Sequence, residues 1–330
     1  MKIKAGIIGA AGYTGYELIK ILSRHKNVNL LYPNSRTFKG KPVKSVYKDF
    51  FDAELKFTDA PVDELNKLDV VFTALSSGES LGIVPELKTK VIDLSADYRF
   101  SDVKVYERVY GHRHKKIVKA VYGLPELFRN EIKNAKIVAN PGCYATASIL
   151  AGLPIQKFVS SIIFDCKSGY SGAGIKPTYV NQKENYTDNI IPYNITKHRH
   201  KYEIEQFIKS KVSFTPHVIP TFRGLMCTMH AILDNANSPK DSKLGEFCGI
   251  EMSKIAKIHN KLLRFSSTRK FREIFVDCRT KVRGTIPAIF NKKTTDSDIK
   301  KIYKQFYKNE PFVRIMDKIP ELHDVQNTNY

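Results

Sequence analysis

The sequence predicts an α/β protein: a Rossmann-like, doubly wound parallel sheet, then a second α/β domain with a mixed or antiparallel sheet. Three observations carry this. An apolar strand, Ile3 to Ile8, runs into the glycine turn Gly9-Ala10-Ala11-Gly12-Tyr13-Thr14-Gly15 and on into a helical stretch, Tyr16 to Ser23. Short apolar runs at Val28–Tyr32, Asp69–Ala74, Lys90–Leu94 and Lys136–Ala139 each end in polar residues, as strands of a parallel sheet do. After a helix at Tyr144–Leu153 the pattern changes to strands at Ser160–Cys166, Val212–Phe214 and Leu225–Leu233, with one helix at Glu203–Lys209 between them.

Composition bounds the rest. The 330 residues suffice for two domains, and 42% hydrophobic with 26% charged residues describes an ordinary globular chain. No stretch reaches the length of a membrane span, and the chain opens directly on a strand, so neither a membrane partner nor a cleavable leader is expected. The five cysteines are scattered without a CxxC pair, which argues against a disulfide framework or zinc knuckle and suits a reducing cytoplasm. The net charge of +21 invites a nucleic-acid reading. Lys far outnumbers Arg, however, the lysines are spread along the chain and no nucleic-acid motif is present, so no such partner is expected.

Strand, glycine turn and helix in that order suit a dinucleotide phosphate. The glycines Gly9, Gly12 and Gly15 let backbone N–H groups near the pyrophosphate, and the helix N-terminus faces its charge, with Ala10, Ala11, Tyr13 and Thr14 completing the cradle. The GxxGxxG spacing is weak by itself, and its place after the first strand strengthens it. The second strand leads into Pro33-Asn34-Ser35-Arg36. Where an NAD enzyme places a carboxylate, Ser35 and Arg36 stand instead, which suits the 2′-phosphate of NADP(H). Ser76, at the end of the third run, and Ser168 and Gly169, in the loop Ser168–Gly174, complete the candidate cofactor residues. Asp102–Lys119, with His112-Arg113-His114, reads as a polar, solvated excursion.

Asn140-Pro141-Gly142-Cys143-Tyr144-Ala145-Thr146 is the stretch with chemistry in it. Cys143 falls in the turn at a helix N-terminus, where unpaired N–H groups and the dipole stabilise a thiolate. Gly142 ahead of it leaves room for a substrate carbonyl. A buried structural cysteine on a strand-to-helix turn fits this stretch equally well when it is taken alone.

Seven blocks in order resemble the N-acetyl-gamma-glutamyl-phosphate reductase family of arginine biosynthesis, within the semialdehyde dehydrogenase superfamily. They are Gly9–Gly15, Asp93–Arg99, Tyr122–Glu126, Asn140–Thr146, Ser168–Gly174, His198–His200 with Glu203, and Pro216–Pro220 with Arg223-Gly224. The resemblance runs from Met1 to about Leu233. It implies NADPH-dependent reduction of a small acyl phosphate through a thioester on Cys143, with His198 as proton donor and His200 and Glu203 beside it. Arg99 is the candidate for the departing phosphate, and Asn140 and Tyr193 are further substrate-site candidates. No metal is expected, because His198, His200 and Glu203 lack a further ligand. The resemblance also implies a homo-oligomer, formed through the second domain. Related reductases of lysine biosynthesis act on an aminoadipyl phosphate held by a small acidic carrier protein. The positive charge would suit that partner, but Tyr144 and the Ser168–Gly174 loop depart from their pattern.

On this basis residues 1–147 are expected to bind NADP, 148–308 to carry catalysis and self-association, and 309–330 to return toward the first domain. Three departures from the family stand out. Ser77 replaces a usual His. About fifty residues, with an atypical stretch at 235–281, separate the Arg223-Gly224 strand from the helix expected at Asp296–Tyr307; they form either an insertion or a partly duplicated segment ending in a second Arg283-Gly284. The sequence stops where the family continues into a strand and helix beside the cofactor, which raises the alternative of a truncated, non-catalytic relative kept for association. The stretch from Asp234 to Lys281 is expected to lie outside the core, because it is polar around Pro239 and basic beyond it.

Overall fold

Two sheets organise the chain in a computed structural model that describes residues 1–233, 274–277, 281–284, 296–316 and 321–322. The chain divides into two compact units, residues 1–142 with 171–182 and residues 143–170 with 183–330.

The first unit is built on six parallel strands in the order β2-β1-β3-β4-β6-β5. These are β1 (Ile3–Ile8), β2 (Val28–Asn34), β3 (Val70–Thr73), β4 (Lys90–Asp93), β5 (Val121–Tyr122) and β6 (Ile137–Ala139). The order runs outward in both directions from β1 and β3, the doubly wound arrangement that the alternating apolar runs predict. Apolar side chains on the two faces, among them Ala5, Ile7 and Ile19 in one cluster and Val71, Val91 and Ile137 in another, exclude water from the sheet.

The helix after β1 spans Tyr13–Arg24 rather than starting at Tyr16. Gly12 is its N-cap in an extended conformation, so Tyr13 and Thr14 already belong to the helix. The glycines are required by space. Gly9 has φ +83°, and a Cβ there would lie 2.5 Å from the Ala74 carbonyl oxygen; one on Gly15 would lie 2.3 Å from the Gly9 oxygen.

Asp102–Lys119 is more than a solvated excursion. It holds a helix, Val103–Tyr110, capped by Asp102 and anchored by the buried Tyr106. Tyr106 donates to Asp97 Oδ1 at 2.7 Å, and its ring meets that of His114 edge-on at 4.9 Å. The anchoring aromatics, spaced among charges, gave the segment its polar look.

The second unit is a mixed sheet in the order β12-β11-β10-β7-β9-β8. Its strands are β7 (Val159–Gly169), β8 (Ile191–Pro192), β9 (Lys211–Ile219), β10 (Leu225–Leu233), β11 (Ile274–Asp277) and β12 (Lys281–Gly284). β7 is parallel to β9 and antiparallel to β10. Alternate residues of β7, Ile162, Phe164 and Cys166, are buried, which is the period of a strand with one face on a core. β7 runs on to Gly169, so the expected loop Ser168–Gly174 begins as sheet and continues as a tight turn over Tyr170–Ala173.

Packed within this unit is the helix Cys143–Gly152. Apart from Cys143 and Thr146 its residues are buried, as befits a helix apolar on every side. Its C-terminal carbonyls are met by Tyr303 of the helix Asp296–Phe306 and by Tyr307 just past its end: Tyr303 donates to Ala151 O at 2.5 Å and Tyr307 to Leu150 O at 2.6 Å. The expectation that 234–281 lies outside the core fails for Ile274–Asp277, which pairs with Met226–Met229 of β10. The second Arg-Gly run, Lys281–Gly284, extends the sheet as β12. The remainder of that expectation falls outside the described residues.

Candidate active site

Both units present candidate residues at defined places. In the first unit Gly9–Gly12 form the turn at the carboxyl end of β1 and Gly15 lies in the first turn of the helix that follows, with Ala10 N donating to Asn34 O at 2.9 Å. Gly12 brings no side chain over the helix N-terminus, and Tyr47 donates to Ala11 O at 2.7 Å, which stiffens the turn from outside. Ser35 and Arg36 follow β2, Ser35 half-buried and Arg36 exposed. The preceding Asn34 is buried and locked by Thr58 and Ala60, so the strand end beside Ser35 is rigid.

Two buried carboxylates shape the loops after β3 and β4. Asp93 accepts bonds from the hydroxyls of Thr73, Ser80 and Ser95, and burial pushes its pKa up against the pull of those donors. Asp97 accepts from Ser77 Oγ at 3.1 Å, from Gly78 N at 2.8 Å and from Tyr106. Ser77, the residue that departs from the family, is thus tied to Asp97, while Ser76 is exposed and its N–H donates to Glu79. Sequence reasoning assigned no role to either carboxylate, although two acidic residues at strand ends were a usable signal.

Arg99 is half-buried. Its Nε donates to Asn140 O at 2.8 Å and its Nη2 to Leu94 O at 3.0 Å, so the guanidinium joins the loop after β4 to the turn after β6. Asn140 N donates to Asp93 O at 2.7 Å, and its side chain to Pro141 O at 3.1 Å.

In the second unit Cys143 is the exposed first residue of a helix otherwise largely enclosed. Around the start of this helix gathers an aromatic cage. Tyr144 is 2% exposed; its ring meets His198 at 5.7 Å and 85°, His200 at 6.0 Å, and Phe214 at 5.5 Å. Tyr193 meets His198 at 5.4 Å, and its hydroxyl lies 3.5 Å from that of Tyr144. Burial raises the pKa of both tyrosines, so both remain protonated hydroxyls.

His198 is the N-cap of the helix Arg199–Glu205, which starts four residues before the expected Glu203. Its Nδ1 accepts from His200 N at 3.2 Å. That bond assigns the neutral ring's proton to Nε2. Burial, helped by His200 and Arg199 and opposed by Glu203, lowers its pKa to about 3, so the ring is neutral at physiological pH. Glu203 is fully buried on the same helix. Ser168 and Gly169 end β7: Ser168 is buried with its hydroxyl on Gly169 O, and Gly169 packs so closely on Thr221–Arg223 that a Cβ would fall 2.7 Å from Thr221 O.

The sequence-predicted residues therefore fall into two groups. Gly9–Gly15, Ser35, Arg36, Ser76, Arg99 and Asn140 lie in the first unit, and Cys143, Ser168, Gly169, Tyr193, His198, His200 and Glu203 in the second. Tyr144 and Phe214, which complete the cage, carried no assigned role in sequence. Among the described residues no group of three or more His, Cys, Asp or Glu is placed to hold a metal, and no helix is long and apolar enough to cross a membrane.

Comparison with known proteins gives a consistent picture. Residues 4–135 match the family model "Semialdehyde dehydrogenase, NAD binding domain", and residues 143–245 and 255–330 match "Semialdehyde dehydrogenase, dimerisation domain". The N-acetyl-gamma-glutamyl-phosphate reductase of Methanosphaera stadtmanae is 38% identical over 100% of this chain and 84% of its own. That of Methanocaldococcus jannaschii is 44% identical over 86% of this chain and 83% of its own. In fold the chain is similar to aspartate semialdehyde dehydrogenase with NADP from Candida albicans, with a TM-score of 0.53 at 17% identity over 72% of this chain and 73% of that one. Aspartate semialdehyde dehydrogenase II of Vibrio cholerae gives 0.52 at 17% identity, over 71% and 75% of the two chains.

Proposed function

The chain belongs to the semialdehyde dehydrogenase family, with N-acetyl-gamma-glutamyl-phosphate reductases as relatives along its whole length, and we propose that it reduces N-acetyl-gamma-glutamyl phosphate to the semialdehyde with NADPH. One observation carries the reading: the thiol of Cys143 is exposed at the start of a buried helix whose next residue, Tyr144, packs on a buried neutral imidazole.

The residues present fit the cofactor. Gly9 and Gly15 let the turn close tightly on its own backbone, where a Cβ would strike the Ala74 and Gly9 carbonyls, and Gly12 keeps the helix N-terminus open, which suits a pyrophosphate. Within the first unit Gly9–Gly15 would hold that group and Ser35 and Arg36 the 2′-phosphate, with Ser76 a further candidate; Ser168 and Gly169 are the second unit's own candidates. Bound there, NADPH supplies the hydride that reduces the thioester.

The chain's own residues account for the remaining steps. The Cys143 thiolate, stabilised by the helix N-terminus, attacks the acyl carbon. A C–S bond forms, the C–O bond to phosphate breaks and phosphate departs; Arg99, held on the carbonyls of Leu94 and Asn140, is the first unit's candidate to bind that phosphate, with Asn140 its neighbour. When the reduced adduct collapses, the C–S bond breaks and charge returns to sulfur, and the Nε2–H of His198 meets it as a hydrogen-bond donor. Tyr193 packs on His198 and is the further candidate for the substrate, His200 holds His198 at the helix start, and Glu203 is buried on the same helix. The second unit mediates self-association as a homo-oligomer, and the scattered free thiols suit a cytoplasmic setting.

The experiment is the reverse reaction: the 330-residue chain with NADP, phosphate and N-acetylglutamate semialdehyde, followed by NADPH absorbance. Phosphate-dependent NADPH formation is expected. Turnover that is absent, or that persists without phosphate, would refute the proposal.

A further inference from the structure

Tyr144 is joined to three elements at once. It follows Cys143 in the chain, its hydroxyl donates to His217 O on β9 at 3.0 Å, and its ring abuts His198, the N-cap of the next helix, at 5.7 Å. The His198 ring is fixed in two ways. The bond from His200 N to Nδ1 sets its rotation, and the tilt is left to the rings around it: His200 at 4.8 Å, Phe214 at 5.2 Å, Tyr193 at 5.4 Å and Tyr144. Of these four, Tyr144 alone is covalently next to Cys143.

A hydroxyl in this place is costly unless it is bonded, because the residue is 2% exposed. Phenylalanine would fill the same volume without that liability, so packing alone does not explain a tyrosine. The hydroxyl ties the first turn of the Cys143 helix to β9, and it sits 3.5 Å from the hydroxyl of Tyr193, a second wall of the cage. We propose that Tyr144 is a positioning residue: bonded to the His217 carbonyl, it fixes the tilt of the His198 imidazole and so the direction in which its Nε2–H is presented. The inference rests on the role given above to His198.

The test is a double-mutant cycle on the full chain, reading kcat and KM in the reverse reaction for Tyr144→Phe, His198→Asn and the pair. Tyr144→Phe keeps the ring and removes the bond. It is expected to lower kcat about 10- to 100-fold with KM for the semialdehyde within about twofold, since small misplacements of a catalytic group weigh on the transition state. In the His198→Asn background the same change is expected to have almost no effect, because the group it orients is gone. Equal losses in both backgrounds overturn the proposal, as does an unchanged kcat for Tyr144→Phe. If His198→Asn alone leaves kcat unchanged, the assignment of His198 falls, and the proposal with it. NADPH binding by each variant reports whether the chain has folded, and Tyr144→His, which restores a donor on a ring, is expected to recover part of the loss if Tyr144→Phe proves unstable. Failure of that rescue in a folded variant counts against the hydroxyl's role.

Discussion

Replacing His198 by Asn measures what it costs the fold to keep this imidazole neutral. The ring is 9% exposed, and burial takes its pKa from an ordinary 6.5 to about 3. The folded value is the lower one. Above 6.5 both states hold the ring neutral and its burial carries no proton penalty; below it the unfolded chain takes up a proton that the folded chain refuses. Stability is therefore lost as pH falls from 6.5 toward 3. At about 1.4 kcal/mol per pH unit, going from about pH 7 to about pH 5 costs the parent protein about 2 kcal/mol through this one group. Asparagine also accepts a bond at an N-cap, so the helix Arg199–Glu205 keeps its start and the variant lacks only the titration and some packing. Urea unfolding of both proteins at the two pH values, followed by circular dichroism, gives the comparison. The parent should lose about 2 kcal/mol more than the variant on acidification. Parallel losses in the two proteins would show that His198 is not held neutral, and the assignment of its proton to Nε2 would fail with it.

Cys143→Ser should abolish turnover while leaving NADPH affinity nearly unchanged, because a hydroxyl cannot replace the thiolate; retention of more than about a tenth of the rate would remove Cys143 from the nucleophile's role. NADPH should be preferred over NADH, and Ser35→Ala with Arg36→Ala should narrow the preference; equal kcat/KM for both cofactors in the parent protein would contradict this reading. Gly15→Ala should destabilise the chain by about 1–3 kcal/mol and weaken NADPH binding, since the added Cβ would meet backbone atoms of Gly9 and Ala10 that have no room to move; a fully stable variant with unaltered affinity would show that the turn is looser than described.

The parts of the fold that could be read from sequence are those with local causes. β1, the glycine turn and β10 carry their signals in consecutive residues, and the observed spans Ile3–Ile8 and Leu225–Leu233 coincide with the expected ones. Where a cause is distant, the reading fell short. β9 was expected only over Val212–Phe214, yet it spans Lys211–Ile219. Pro216 is tolerated there because the neighbouring edge strand β8 is only two residues long and pairs with His217 and Val218. The helix at Arg199 was placed too late because an imidazole is an unusual N-cap, and its role depends on a ring buried by residues far away in sequence. Asp93 and Asp97 were passed over for the same reason: their partners, Thr73, Ser80, Ser77 and Tyr106, are recognised only when the strand ends are brought together. Of the candidate site residues, the glycines and Cys143 announce themselves by sequence context, whereas the His198 cage does not.

The neutrality of His198 also constrains how the nucleophile is activated. An imidazolium beside a cysteine would supply a full positive charge to a thiolate, as in thiolate–imidazolium pairs. With the His198 pKa down to about 3 and Nδ1 already engaged by His200 N, the ring at neutral pH offers one N–H dipole and no charge. If Cys143 is the nucleophile, as proposed above, its thiolate is stabilised chiefly by the start of the helix Cys143–Gly152, whose interior is buried and whose far end is capped by Tyr303 and Tyr307. A helix whose body is so enclosed keeps its first-turn N–H groups aimed in one direction. On the proposed mechanism the buried residues Ala145, Ala147, Ile149 and Leu150 act at a distance: they touch no substrate, and they hold in place the helix whose first turn faces the Cys143 sulfur.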